Sequence, residues 1–132
     1  MTDGLNGATL AYLGDAVIEL CVRELLISLG ITSPAKLSSE ALGFVTAKSQ
    51  SEAFLNIEAL LTEEEADVFR RGRNAHVSVP KSASHAEYHR ATGMEALFAS
   101  LYLHGRRDRI NELFRIAYES KINDLKLRHE IK

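Results

Sequence analysis

Cysteine occurs once in the 132 residues, at Cys21, proline twice, at Pro34 and Pro80, and tryptophan not at all. A single cysteine excludes a disulfide framework within the chain and suits a reducing compartment. Two prolines leave long stretches free to form uninterrupted helices. No apolar run is long enough to cross a bilayer, which excludes a membrane-spanning segment. The opening MTDGLNG is neither a basic n-region nor the start of a cleavable apolar segment. Internal repeats, low-complexity tracts and linkers are also missing. An excess of either charge is missing: the formal net charge is −2, so bulk charge points to no nucleic-acid partner, and any such partner must meet a local patch. These absences describe a soluble, cytoplasmic, single-domain protein spanning residues 1–132 and large enough to bury a core.

What is present is helical in character. Ala, Leu and Glu are abundant, and alternation of period two is scarce. A first helix is predicted from about Asn6 to Leu29, with Gly30 as its stop. Ser33 can cap a second helix with Pro34 in its first position, and Gly43 offers a break before a third at TAKSQSEAFLNIEALL. Thr62 and Glu65 have the spacing of a capping box, and Gly72 would end that helix. RNAHVSVPK reads as a loop. Ser84 and Glu87 repeat the capping-box spacing ahead of a long helix stopped by Gly105. A last amphipathic helix begins near Asp108, with residues 120–132 as a tail prone to fray. The expectation is an all-α domain of six to seven helices.

Two carboxylates sit oddly in this pattern. LAYLGDAVIELCVREL, residues 10–25, is apolar around most of a helical wheel, which predicts a central helix, yet Asp15 lies within it. Glu95 lies likewise inside ATGMEALFASLYL. A buried, unpaired carboxylate is costly, so each needs a hydrogen bond, a counter-charge or a cation. Gly14, Gly93, Ala11, Ala91 and Ala96 lack bulk and would let helices approach closely. If the two helices cross there, Asp15 and Glu95 form a hard-oxygen site suited to Mg²⁺ or Mn²⁺. The plainer reading makes Asp15 a local capper, a salt-bridge partner or an edge residue.

Charge is also concentrated locally. Residues 70–90 carry Arg70, Arg71, Arg73, Lys81 and Arg90 against one acid, Glu87, and the remainder of the chain is net acidic. Such a patch is either an electrostatic footprint for nucleic acid or a solvated charged loop. His85 and His89 stand four apart in HAEYH, but the residue after the first is Ala86 rather than the Glu of a zincin helix, so a zinc site is rejected. Cys21 carries no nucleophile signature and reads as core. A glycine-rich phosphate loop is absent.

The blocks LNGATLAYLGDAVIELCVR, VTAKSQSEAF, RRGRNA and PKSASHAEYHRATGMEALFASLYL, in that order, resemble Mini-ribonuclease III, the short branch of the ribonuclease III family without a separate double-stranded-RNA-binding domain. The resemblance runs from Leu5 to Tyr118. It implies a ribonuclease III-type endonuclease domain, a homodimer, and Mg²⁺-dependent cleavage of double-stranded RNA with Mn²⁺ as a substitute. Its expected role is maturation of large-subunit ribosomal RNA. A metal-activated water would hydrolyse the phosphodiester, leaving a 5′-phosphate and a 3′-hydroxyl. Asp15 takes the place of the family's catalytic aspartate, and Glu95 that of the glutamate in its second motif; both would be metal ligands. Arg70, Arg71, Arg73, Lys81, Arg90 and Lys48 become the expected contacts to double-stranded or structured RNA, with loop 72–83 ordered by RNA. Ala8, Ala11 and Thr92 stand where longer family members carry further acids. Those departures motivate the alternatives: a non-catalytic ribonuclease III-like RNA-binding module, or a helical protein-interaction dimer.

Overall fold

Side-chain caps set the helix starts in the computed structural model, which describes residues 4–81 and 84–130. Asn6 accepts from the Thr9 amide at 2.8 Å and opens α1, Gly7–Ser28. Ser33 and Pro34 open α2, Pro34–Val45, and Thr46 caps α3, Ala47–Leu55. A 3-10 turn follows at Glu58–Leu60. Thr62 and Glu65 form the full reciprocal box that opens α4, Glu63–Arg73. Ser84 accepts from the Glu87 amide to open α5, His85–Leu103, and α6, Arg107–Ala117, and α7, Glu119–Glu130, complete the chain. The described residues are thus all-α, with seven helices, none of them long and apolar enough to cross a membrane.

Two glycines act as expected. Gly30 and Gly105 adopt φ of 87° and 72°, which side-chain-bearing residues rarely do. The other two breaks are corrected. Gly43 lies inside α2, and the break falls at Thr46, whose hydroxyl satisfies the next helix's amide. Gly72 lies inside α4, because it is a contact position rather than a stop. The tail expected to fray forms α7. Arg128 donates to Glu40 of α2 at 2.8 Å, and Ile122 and Leu125 are buried. Positions 82–83 of the expected loop and 131–132 of the expected tail lie outside the described residues.

The central helix is α5, not α1. Ala91–Met94 and Ala96–Leu101 are all buried, because α1, α3 and α4 cover α5 on different sides. Helix α1 buries only Gly7, Leu10, Ala11, Gly14, Val17, Ile18, Val22 and Leu26 along its length. Its outer stripe bears Tyr12, Asp15, Ala16 and Leu20, all exposed. Elsewhere Phe54 and Phe69 stack with ring centres 3.9 Å apart, joining α3 to α4. Tyr118 is buried and donates to the Phe44 carbonyl at 2.9 Å, fastening α2 to the end of α6.

Glycines bring the backbones of three helices together. A Cβ on Gly14 would fall on the carbonyl of Glu95, one on Gly7 on the carbonyl of Arg71, and one on Gly72 against Thr92, Gly93 and Ala96. Gly93 in turn meets Phe69, not α1. Gly14→Ala is therefore expected to destabilise the protein by about 2 kcal/mol even though alanine favours helix. Urea denaturation measures it; an unchanged midpoint would refute this account of the crossing.

Candidate active site and nucleic-acid interface

The Gly14 contact fixes where the two carboxylates meet. Because Gly14 lies directly on the Glu95 backbone, the next residue, Asp15, leaves α1 at the rim of the crossing, exposed to solvent. Glu95 lies half-buried on α5. The sequence expectation of a buried Asp15 is thus corrected: one carboxylate is wet and the other largely enclosed. Burial is the main reason that the Glu95 carboxyl is pushed up to about 8, and the neighbouring Asp15 charge adds to it. Asp15 is raised less, by partial burial and then by Glu19.

A third side chain belongs to this site and escaped sequence reasoning. Gln50 of α3 is 2% exposed, and its amide bears on the Glu95 carboxyl, favouring the ionised form. The approach falls short of a full hydrogen bond, because Nε2 has no partner. The available signal was the run Ser49-Gln50-Ser51, three polar residues together in a helix that must pack on α5. The positions that carry acids in longer family members are closed: Ala8 and Ala11 offer no oxygen, and the Thr92 hydroxyl donates to the Tyr88 carbonyl at 2.9 Å. Among the described residues, no three His, Cys, Asp or Glu side chains group as a metal cage. What is present still fits a hard divalent cation. The Asp15 charge bears on the Glu95 carboxyl, and a dication would relieve that repulsion; an ion that keeps several waters needs few protein ligands.

The basic segment reaches the same place through Gly72, which packs against Thr92, Gly93 and Ala96 on either side of Glu95. The last turn of α4 therefore packs on the stretch of α5 that carries Glu95, and its Arg70, Arg71 and Arg73 are all exposed. Arg70 pairs with Asp67, and Arg71 donates to the Leu5 carbonyl. Arg73 lies with its guanidinium carbon 5.7 Å from the Phe69 ring centre. Lys81 and Lys48 are exposed. Arg90 differs, being half-buried and donating to the buried Ser51 hydroxyl at 2.6 Å, so it fastens α5 to α3. His85 and His89 lie with ring centres 6.1 Å apart and no third ligand joins them among the described residues.

Fold and site together have the form of a ribonuclease III domain, and the family model described as "Ribonuclease III domain" matches residues 8–106. The Mini-ribonuclease 3 of Symbiobacterium thermophilum is 46% identical over 110 residues, covering 83% of this chain and 85% of the relative. That of Brevibacillus brevis is 42% identical over 114 residues, covering 86% and 85%. A crystal structure of a Fusobacterium nucleatum protein superposes with a TM-score of 0.81 at 30% identity, covering 90% of this chain and 96% of the other. The chain belongs to the ribonuclease III family, in its Mini-ribonuclease 3 branch. It is accordingly an endoribonuclease of the ribonuclease III type rather than a non-catalytic module.

The raised Glu95 carboxyl has a consequence for stability. Between the ordinary value of 4.5 and about 8 the folded protein holds a proton that the unfolded chain has lost. Its contribution is therefore full at acid pH and is lost as pH climbs through that window. The lowered carboxyls of Glu40 and Glu65 act in the opposite sense, at lower pH. Comparison with Glu95→Gln isolates the first effect. In EDTA at pH 8 the variant is expected to be more stable than wild type by roughly 2 kcal/mol, and the gap should close towards pH 5. Thermal melts across that range check it; a gap independent of pH would contradict the assignment.

Proposed function

We propose that this endoribonuclease cleaves double-stranded RNA with Mg²⁺ as its physiological ion, that Asp15 and Glu95 are the ligands, and that its substrate is precursor large-subunit ribosomal RNA. The observation that carries the reading is the meeting of Asp15 and Glu95 at the Gly14 crossing, on the same helix α5 that the basic α4 packs against through Gly72. The cation, when bound, supplies an activated water and stabilises the departing 3′ oxygen. Asp15, the more exposed of the two, would be one anionic ligand. Glu95, on the facing helix, would be the second ligand. The guanidinium groups of Arg70, Arg71 and Arg73, with Lys81 and Lys48, hold phosphates of the duplex. Such contacts read the A-form shape rather than sequence. The position of Arg90 supports a structural part for it.

The homodimer belongs to the same proposal. The outer stripe of α1 carries Tyr12, 85% exposed, and Leu20, 45% exposed, on either side of Asp15. Large apolar side chains left in water beside a catalytic group suit a surface that a second copy covers. A dimer joined there sets two basic turns along one duplex.

Long duplex RNA incubated with protein and Mg²⁺ tests the chemistry. Wild type is expected to cut it, and Asp15→Asn to lose roughly a thousandfold in rate, since the ligand's loss forfeits several kcal/mol of charge stabilisation. Equal cutting by the variant would overturn the site. Arg73→Ala should instead weaken duplex binding at every sequence and make its salt dependence shallower by about one contact, measured by filter retention from low to high salt. Mapping large-subunit ribosomal RNA ends in cells depleted of the protein tests the substrate, and sedimentation equilibrium of wild type against Tyr12→Lys tests the dimer.

A further inference from the structure

Three consecutive polar side chains of α3, Ser49, Gln50 and Ser51, are buried against the rest of the fold. Ser49 accepts from the Thr46 hydroxyl at 2.9 Å, and Ser51 accepts from Arg90 at 2.6 Å. Gln50 stands apart: it is 2% exposed and its Nε2 has no hydrogen-bond partner. Leaving a buried amide donor unmade costs on the order of 1–3 kcal/mol, so a chain selected only for stability would place an apolar residue there. The amide bears on Glu95. An ionised carboxylate can only accept, so the nitrogen is the end that can serve it.

We propose that Gln50 is a positioning residue for Glu95, its Nε2–H donating to the carboxylate and so orienting it for the cation that Asp15 and Glu95 would hold. The inference rests on the reading of Asp15 and Glu95 as ligands. It explains why an amide donor is kept at a buried position where it has no partner. It also explains why the donor is an amide. A lysine or arginine there would neutralise Glu95 and compete with the cation, whereas a neutral N–H orients the carboxylate and leaves its charge free. His89 Nδ1 is likewise buried without a partner, but no candidate ligand is shown beside it.

Gln50→Met keeps the length of the side chain and removes the donor. Titration of RNA-free protein with Mn²⁺, followed by the paramagnetic resonance of the free ion, should show affinity weakened roughly ten- to a hundredfold, the loss usual when a ligand's supporting hydrogen bond is removed. Thermal melts in EDTA should show no loss of stability, since an unmade bond cannot be lost. In a Glu95→Gln background, Gln50→Met should weaken Mn²⁺ binding no further. The proposal is overturned if Gln50→Met binds Mn²⁺ as wild type does, or if the loss persists without the Glu95 carboxylate. It is also overturned if both Gln50→Met and Gln50→Leu melt early in EDTA, which would make the amide part of the scaffold. Wild-type cleavage of duplex RNA alongside any of these leaves the site reading standing and removes only the role of Gln50. If wild type neither binds Mn²⁺ nor cuts, both fall.

Discussion

The contact of Gly14 with the Glu95 backbone is the constraint around which the site is arranged. Two helices cross with no side chain between them, and the carboxylates lie at that crossing because Asp15 follows Gly14 and Glu95 supplies the touching carbonyl. A helix turns about 100° per residue, so the backbone contact at Gly14 turns Asp15 out to the rim while Glu95 stays largely enclosed. The difference between the two groups in exposure and in proton affinity is thus a product of helix geometry.

The same device recurs where the basic turn is delivered. Gly72 and Gly93 remove side chains between α4 and α5, and Gly7 removes one between α1 and α4. Each pair of the three helices therefore has a glycine in its contact. Close backbone packing fixes relative position better than side-chain packing, which can relax through rotamers. A site made of only two carboxylates has little redundancy, and this rigidity holds the few groups it has.

Much of the scaffold was legible because its signals are local. A cap and the amide it serves lie three residues apart, so the starts of α2, α4 and α5 could be read directly. Asp15 and Glu95 stood out because carboxylates inside apolar helices are rare. The glycines could not be read the same way. Gly30 and Gly105 end helices with positive φ, whereas Gly43 and Gly72 lie within them; Gly72 is held there by its contact with α5, which sequence spacing does not carry. The central place of α5 was hidden for a related reason: α1 is nearly as apolar, but its surplus faces outward as Tyr12 and Leu20. The order of α7 depends on Glu40, 88 residues from Arg128. Gln50 was visible as a buried polar run only once α3 was known to lie on α5.

Glu65 shows how this small domain couples its parts. Its carboxylate closes the capping box at the start of α4 through the Thr62 amide at 2.9 Å. The same two oxygens take both arms of the Arg109 fork from α6, at 2.9 and 2.8 Å, and Arg109 also donates to the Leu60 carbonyl. One anion therefore starts one helix and docks another, in a largely water-excluded position where such bonds are strong. Neither half can open alone. Hydrogen exchange at the first turn of α4 and along α6 should follow a single opening event, so that the basic end of α4 inherits the cooperativity of a helix it does not touch.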